Sequence, residues 1–304
     1  MVAPSGEQFE IAGGGYRAVV TESGAALRLL EYAGRSLVDG FGEQDMSSGG
    51  RGQLLAPWPN RIEDGAYEFE GRSLQLGLTD PSRRNASHGL VRWAAWSLEE
   101  HAASSVSLTY RLMAQSGYPW TLDLHVIYDL SADGLTVTQT ATNLSDSPAP
   151  FASGAHPYLS AGAGPVDGWE LTLPASTRLL TSPDRLLPTG REAVDGTAYD
   201  FRVTRPLRGT VVNHAFTGLD RNEGGRAVVV LQGEHAVSLW VDERHGWLQV
   251  YTADDVPATA RRSIAVEPMT APPNAFRSGE DLTVLAAAGR NGDEFSASWG
   301  IQAL

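Results

Sequence analysis

The sequence predicts an all-β protein built as a large antiparallel β-sandwich. Apolar and polar residues alternate with a period of two along several segments, which is typical of half-buried strands. No stretch keeps an apolar stripe at helical spacing, and Gly or Pro interrupts most helix candidates. Many strands with little helix favour a sandwich. Because no linker or internal repeat is visible, we predict a single domain over residues 1–304.

Nine strands are predicted, and three of the segments outside them are long loops. In order the strands are residues 16–21, 25–32, 105–112, 122–128, 135–142, 227–231, 236–241, 247–252 and 263–267. Alternation is clearest in residues 105–142, where Asp133-Gly134 predicts a tight hairpin. We expect the loops at residues 40–51, 79–87 and 182–196 to carry the functional site, because long loops on a rigid scaffold usually do.

Composition excludes several kinds of chemistry. The 304 residues contain no cysteine, which rules out disulfides, thiolate nucleophiles and zinc held by cysteine. All 23 basic residues are arginine, so Schiff-base chemistry, pyridoxal phosphate anchoring and a phosphate-loop lysine are also excluded. Any chemistry is therefore left to His, Asp, Glu, Tyr, Ser and Arg.

The chain is strongly acidic, with a formal net charge of −13. A surface of this sign repels phosphate backbones and anionic membranes, so neither nucleic acid nor a membrane is an expected partner. Residues 1–12 carry Glu7 and Glu10 and lack the apolar core of a signal peptide. No apolar run approaches the ~20 residues of a membrane span. We expect a cytoplasmic protein, monomeric or homodimeric, that needs no cofactor.

Residues 265–276, AVEPMTAPPNAF, form the most informative segment. Glu267 ends an apolar, strand-like run, and the prolines and asparagine that follow stiffen the loop behind it. Rigid elements position catalytic groups better than mobile ones, so Glu267 is a candidate general base. A strand-end carboxylate in a hydrogen-bonded turn fits this segment equally well.

His156 lies in residues 154–159, GAHPYL, and is a candidate general acid. Pro157 restricts it to an extended backbone, and Tyr158 falls on the same side of the strand two residues on. A histidine titrates near neutral pH, which suits proton donation to a ring oxygen. The alternative is a core histidine satisfied by hydrogen bonds.

Two further segments supply candidate sugar-binding residues. Trp58, Asn60 and Arg61 belong to the stiff loop PWPNRI, where an indole can stack on a sugar face and a guanidinium can donate to sugar oxygens. His88, in the segment SHGL, precedes a glycine and can approach a ligand closely. The structural alternatives are an arginine that braces its loop and a histidine bonded to backbone.

Other polar and aromatic residues are predicted to be structural or solvated. The histidines in this group are His101, His125, His235 and His245. No pair of histidines has metal-ligand spacing, so no metal is predicted, and the adjacent Asp254 and Asp255 are expected to be solvated. The tryptophans expected mostly in the core are Trp93, Trp96, Trp120, Trp240 and Trp247.

Taken in order, these segments resemble one protein family. PWPNRI followed by DGAYEFEG, then SHGL, GAHPYL and AVEPMTAPPNAF, is similar to the pattern of the aldose 1-epimerases, or galactose mutarotases. The last motif is closest to a bacterial branch with varied sugar preferences. The resemblance implies the galactose mutarotase-like supersandwich, a large antiparallel β-sandwich. It also implies an isomerase that interconverts the α and β anomers of a free aldohexose, its small-molecule partner.

The resemblance implies a role for each candidate residue. Glu267 matches the base that takes the proton of the anomeric hydroxyl, and His156 matches the acid that protonates the ring oxygen. Ring opening, rotation about the C1–C2 bond and closure on the other face then invert the anomeric centre. Arg61 and His88 match positions that hold sugar oxygens. Asn213 stands where family members commonly carry an aspartate, and removing that charge leaves the sugar preference open.

Four alternatives to a neutral-sugar mutarotase remain open at this point. A mutarotase of an acidic sugar, such as a sulfonate or phosphate, needs extra cationic groups, which Arg51, Arg83 or Arg84 can supply. A non-catalytic carbohydrate-binding protein would tolerate loss of Glu267 or His156, yet both are present. A glycosidase normally needs two carboxylates flanking the scissile bond, and a lyase is a minor alternative.

Overall fold

The computed structural model describes residues 2–304, whose regular secondary structure consists almost entirely of strands. The strands are β1 (Gln8–Gly13), β2 (Tyr16–Thr21), β3 (Leu27–Tyr32), β4 (Arg35–Ser36), β5 (Leu54–Leu55), β6 (Arg61–Glu63), β7 (Ala66–Phe69), β8 (Arg72–Gln75), β9 (Asn85–Ser87), β10 (Ser97–His101), β11 (Ser105–Leu112), β12 (Leu122–Ser131), β13 (Gly134–Asn143), β14 (Ala149–Phe151), β15 (Gly154–Ala155), β16 (Tyr158–Leu159), β17 (Glu170–Thr172), β18 (Ala175–Thr181), β19 (Pro188–Ala193), β20 (Arg205–Pro206), β21 (Asn213–Leu219), β22 (Ala227–Gln232), β23 (Ala236–Val241), β24 (Trp247–Tyr251), β25 (Ile264–Met269), β26 (Thr283–Leu285) and β27 (Glu294–Ala303). The helical segments in the described part are α1 (Ala275–Ser278) and a 3-10 turn at Val166–Gly168. No helix in this range has the length and apolar composition that crossing a membrane requires.

Two large antiparallel sheets form the framework. The nine-stranded sheet has the order β10-β11-β12-β13-β27-β23-β22-β17-β20. The eight-stranded sheet has the order β19-β18-β21-β24-β25-β15-β5, and β16 also pairs with β25. A four-stranded sheet, β1-β2-β3-β4, and three two-stranded ladders complete the fold. This architecture confirms the predicted all-β antiparallel class.

Alternation along the strands decides which face of each sheet is buried. Val126 and Val137 of the nine-stranded sheet belong to the same apolar core as Leu248, Val250 and Val266 of the eight-stranded sheet. Because side chains alternate in direction along a strand, the residues between these apolar positions point to the opposite face. The face of β24 and β25 that looks away from the core is therefore available for a site.

Each of the nine predicted strands corresponds to a strand of the structure, which contains 18 further strands that were not predicted, and one boundary changes the interpretation of the site. Residues 16–21, 105–112 and 236–241 match β2, β11 and β23, and the predicted hairpin joins β12 to β13. Glu267 lies inside β25 and not at its end. The strand continues because Met269 still pairs with Trp247 on one side and with Gly154 on the other.

Four of the five tryptophans predicted for the core are buried, and Trp93 is not. Trp93 is 54% exposed. It lies in a turn that follows Val91, where the two-residue alternation of a strand does not apply. The prediction was wrong at this position because alternation places side chains only where the backbone is extended.

The turn between β12 and β13 gives a test of the fold. Gly134 has φ +101, and a Cβ there would lie 2.4 Å from the backbone oxygen of Ile301. Gly34 also has positive φ, at +78, but has open space around it. We expect Gly134→Ala to destabilise the protein by about 1–3 kcal/mol more than Gly34→Ala, as overpacking does. Urea unfolding measures both variants, and equal losses would contradict the steric explanation.

Candidate active site

A cleft of about 440 Å³ opens over the face of the eight-stranded sheet that looks away from the core. Its walls come from the loops before β5, around β9, and between β24 and β25. The residues that line it are Ser48, Gly49, Arg51, Asn60, Arg61, Arg83, His88, Arg92, His156, Tyr158, Asn213, Gln249, Tyr251, Asp255, Val256, Ala258, Thr259 and Glu267. A cavity of this volume is within the range that holds small-molecule ligands.

Strand register brings Glu267 and His156 together. The strand of Glu267 pairs at one end with β15, through Gly154, and nearer its start with β16, through Tyr158. Continuing this register across the gap places His156 directly opposite Glu267. The ladder is interrupted there because Pro157 has no N–H to donate. Directly opposite residues of an antiparallel pair project their side chains to the same face, about 5 Å apart.

The same register builds the rest of the cleft floor. Gln249 of β24 is the partner of Glu267 on its other side. Two residues further along, Tyr251 pairs with Asn213 of β21. Two rows of side chains therefore cross the sheet on one face, and their polar groups meet in the cleft.

The two central groups are in contact and almost fully enclosed. The Nε2 atom of His156 lies 3.3 Å from the Oε1 atom of Glu267, and their side chains are 6% and 3% exposed. Within the described residues, Glu267 Oε2 and His156 Nδ1 are buried without a hydrogen-bond partner. Leaving buried polar atoms unpaired costs stability, so such atoms are typical of sites that a ligand completes.

Neighbouring groups restrict the imidazole of His156. Tyr158 stacks on it with ring centroids 5.0 Å apart and an interplanar angle of 15°, and its hydroxyl donates to the Gly49 carbonyl at 3.0 Å. The guanidinium of Arg51 lies 4.2 Å from the centre of the Tyr158 ring. A Cβ on Gly50 would come within 2.8 Å of His156 Cδ2, so the backbone itself packs against the imidazole.

Burial shifts the pKa values of Glu267 and His156 in opposite directions. It raises the pKa of Glu267 to about 8, against the opposing charge of Arg61. Burial, followed by the charges of Arg92, Arg51 and Arg61, lowers the pKa of His156 to about 3. Near neutral pH and without a ligand, the carboxyl group of Glu267 is therefore protonated and the imidazole of His156 is neutral. Perturbed groups in a cleft are typical of catalytic acids and bases.

His88 is neutral and presents a defined tautomer. The backbone N–H of Asn60 donates to His88 Nδ1 at 3.2 Å, so Nδ1 is unprotonated and Nε2 carries the hydrogen. Burial, with the charges around it, lowers the pKa of His88 well below its usual value. Its ring meets that of His156 edge-on, with centroids 5.4 Å apart. His88 is thus a hydrogen-bond donor beside the central pair.

A chain of side-chain hydrogen bonds crosses the cleft floor in one direction. Arg61 donates to Asn60 Oδ1 at 3.2 Å, and Asn60 donates to Gln249 Oε1 at 3.4 Å. Gln249 then donates to Asn213 Oδ1 at 2.9 Å. Because a guanidinium can only donate, it fixes the direction of every amide after it. The amide group of Asn213 is consequently presented to the cleft as a donor.

Seven of the eight predicted site residues line this cleft: Glu267, His156, Arg61, His88, Asn213, Asn60 and Tyr158. Trp58 does not, and its predicted stacking on a sugar was wrong. Its side chain is 2% exposed and packs on Phe276 with ring centroids 5.6 Å apart. The large apolar area of the indole is buried beneath the loop, so the sugar-facing surface of PWPNRI is left to Asn60 and Arg61.

The loop predictions were partly right. The loops at residues 40–51 and 79–87 contribute Arg51 and Arg83 to the cleft, but no residue of 182–196 lines it. Arg84 is outside the cleft, where it faces Asp64 at 3.9 Å. Sequence reasoning missed Gln249 and Arg92. A polar residue on an otherwise buried strand signals Gln249, whereas nothing in the sequence marks Arg92.

The three groups at the centre have the composition of a metal site but not its electrostatics. Ligand atoms of His88, His156 and Glu267 lie within 4.8 Å of one another, although their sequence spacing did not predict a cluster. The positive charges of Arg61 and Arg92 act directly on both histidines. Such charges oppose binding of a cation and favour oxygen atoms of a polar ligand.

A family model described as aldose 1-epimerase matches residues 7–295, which includes every residue of the cleft. The chain belongs to the aldose 1-epimerase family. Among curated proteins it is similar to the uncharacterized protein YihR of Escherichia coli strain K12, with 35% identity over 283 residues. That match covers 92% of this chain and 89% of YihR.

Solved structures share the fold at lower sequence identity. A GalM/aldose epimerase homologue from C. elegans has a TM-score of 0.84 at 19% identity, covering 98% of this chain and 99% of that one. The galactose 1-epimerase of Lactobacillus acidophilus NCFM has a TM-score of 0.79 at 20% identity, covering 95% of this chain and 92% of that one. These similarities confirm the fold.

The buried carboxyl group of Glu267 predicts that the difference in stability between wild type and Glu267→Gln depends on pH. In an unfolded chain Glu267 has its ordinary pKa of 4.5, whereas burial in the folded protein raises that pKa to about 8. Burying Glu267 therefore becomes more costly as pH rises through this window. We expect Glu267→Gln to raise Tm, with a larger gain at pH 8 than at pH 5. Thermal unfolding of wild type, Glu267→Gln and the exposed control Glu68→Gln measures this, and a pH-independent difference would contradict it.

Proposed function

We propose that this protein is an aldose 1-epimerase that interconverts the α and β anomers of a free aldose by acid–base ring opening. The observation that carries the proposal is the enclosed contact between His156 Nε2 and Glu267 Oε1, at 3.3 Å on the floor of a sugar-sized cleft. Membership of the aldose 1-epimerase family supports the same reaction. The chemistry needs one base and one acid, and both are present in the pair.

The proposed reaction begins with a proton transfer within the pair and then moves one proton at each of the two sugar oxygens, O1 and O5. Transfer of the shared proton from Glu267 to His156 leaves a carboxylate and an imidazolium. The carboxylate then takes the proton of the anomeric hydroxyl while the imidazolium protonates the ring oxygen, and the C1–O5 bond breaks to give the open-chain aldehyde. After rotation about C1–C2, O5 attacks the other face of C1, His156 takes back its proton and Glu267 returns one to O1.

The other cleft residues have supporting roles in this proposal. Arg61, Asn60 and the Nε2–H of His88 donate to sugar oxygens, which fixes the ring over the pair. Tyr158 holds the imidazole of His156 in place. Holding substrate and catalytic groups in one geometry removes much of the entropic barrier to reaction. The cytoplasmic location and the monomeric or homodimeric state stay predictions.

A non-catalytic carbohydrate-binding protein is a weaker interpretation. Binding alone requires hydrogen-bond donors and acceptors, which exposed or paired side chains supply. It does not require an enclosed glutamate with an unpaired oxygen beside an equally enclosed histidine. Such an arrangement lowers stability and is typical of sites that carry out chemistry.

Loss of either central group tests the proposal. We expect wild type to accelerate the change in optical rotation of fresh α-D-glucose or α-D-galactose. Glu267→Gln and His156→Asn should each lower kcat by about 10²–10⁴-fold, because each removes one proton-transfer group. Glu68→Gln is the matched control, since Glu68 is exposed and outside the cleft. Activity within tenfold of wild type in either central variant would remove that residue from its role.

Asn213 tests how the sugar is held. Its oxygen accepts from Gln249, so its NH₂ group is the part that meets the sugar. Asn213→Asp replaces this donor by an acceptor and adds a charge. We expect KM to change by about 3- to 10-fold, with a smaller change in kcat and a new order of preference between glucose and galactose. Asn291→Asp, at an exposed position, is the control. An unchanged sugar profile would mean that Asn213 does not touch the sugar.

A further inference from the structure

The cleft carries positive charge although the protein as a whole is strongly acidic. Four of its lining residues are Arg51, Arg61, Arg83 and Arg92, in a chain with a net charge of −13. Neutral sugars need hydrogen-bond donors but no excess of cationic charge. A concentration of arginine against the overall sign of the protein indicates an anionic ligand.

The acidic groups beside these arginines are shared and do not balance them. Asp39 contacts both Arg51 and Arg262. Asp80 contacts both Arg61 and Arg83. Asp255 adds a further contact to Arg83 at 3.7 Å. Three carboxylates therefore face five guanidinium groups, counting Arg262 and Arg92.

Arg92 has no acidic partner of its own. It is partly buried in the cleft wall, and within the described residues its guanidinium makes no ion pair or hydrogen bond. Its backbone is fixed, because the buried Gln53 donates to the Arg92 carbonyl at 2.7 Å. Burial lowers the pKa of the Arg92 guanidinium, and a charged group that is partly removed from water without a partner is stabilised when a ligand supplies the opposite charge.

The position of Arg92 indicates which part of the sugar carries that charge. Under the proposed function, His156 gives its proton to the ring oxygen O5. The carbon next to O5 is C5, which bears the exocyclic C6 group, so C6 lies on the His156 side of the ring. Arg92 and Arg51 line the same cleft as His156, and the Arg51 guanidinium lies 4.2 Å from the centre of the Tyr158 ring that stacks on His156. Their charges are also the ones that act most strongly to lower the pKa of His156.

We propose that Arg92, together with Arg51 in the same cleft, is the specificity-determining site for an oxyanion carried on C6 of the aldohexose. The inference rests on the proposed function, because it uses the placement of O5 at His156. The planar guanidinium fork suits a carboxylate, phosphate or sulfonate, with two parallel hydrogen bonds to two of its oxygens. The same cleft then selects an acidic aldose over a neutral one.

Comparing kcat/KM between neutral and acidic sugars tests this assignment. The kcat/KM for mutarotation is measured with D-glucose, D-glucuronate, D-glucose 6-phosphate and 6-deoxy-6-sulfo-D-glucose, and the best of the three acidic sugars identifies the oxyanion. We expect that sugar to exceed glucose in wild type. Arg92→Gln should lower the acidic-to-neutral ratio of kcat/KM by about 10- to 100-fold, the value of a charge-assisted pair. Arg92→Lys should retain part of the ratio, because it keeps the charge and loses the fork.

Arg84→Gln is the matched control, since it removes the same charge from an arginine outside the cleft and should leave the ratio unchanged. A structural role for Arg92 would lower both kcat/KM values equally and leave the ratio as in wild type, which would overturn the assignment. So would a wild type that turns over glucose at least as well as all three acidic sugars, and in that case the proposed function would stand.

A binding measurement separates the two proposals. Calorimetric titration of Glu267→Gln with D-glucose and with the three acidic sugars needs no turnover. Tighter binding of an acidic sugar, lost when Arg92→Gln is added, supports the C6 site. Equal or weaker binding of all three acidic sugars overturns it. Absence of turnover of every sugar by wild type rejects the epimerase reaction and with it the placement of C6.

Discussion

The antiparallel register around β25 is the constraint on which the rest of the site depends. It sets His156 and Gln249 on either side of Glu267, with all three side chains on the face away from the core. A slip of one residue in any of these pairings would turn one of the groups into the core. The apolar residues between them resist that slip, because Val266 and Leu248 are packed between the sheets. Core packing and the geometry of the active site are therefore set by the same alternation.

Enclosure gives the pair its chemical character. In water at pH 7 a glutamate is ionised and about a quarter of a histidine population is protonated. Burial raises the pKa of Glu267 and lowers that of His156, so in the free site the carboxyl group is protonated and the imidazole is neutral. Tyr158 and the backbone of Gly50 then leave the imidazole little freedom to turn. The protein accepts a loss of stability here in exchange for groups that exchange a proton over a short distance.

The strands that alternate most clearly could be predicted from local sequence patterns. The pairing of Glu267 with His156 was predicted from the order of motifs that resembles the aldose 1-epimerases, because each residue alone also fitted a structural role. The failures have a common physical origin. Trp58 and Trp93 lie in loops and turns, where side-chain direction depends on tertiary packing and not on parity. Arg92 was missed because its importance comes from the lack of a partner in space, which no sequence motif records.

The directed chain of amides from Arg61 to Asn213 has a consequence for how sugar recognition can diverge. Each amide has two ends of opposite character, and the guanidinium decides which end every member turns toward the next. Whether Asn213 offers a donor or an acceptor to a ligand is thus set three hydrogen bonds away, at Arg61. Replacing that donor by an acceptor would let the whole row reverse, so recognition at the far end of the cleft can change while the residue that touches the ligand stays the same.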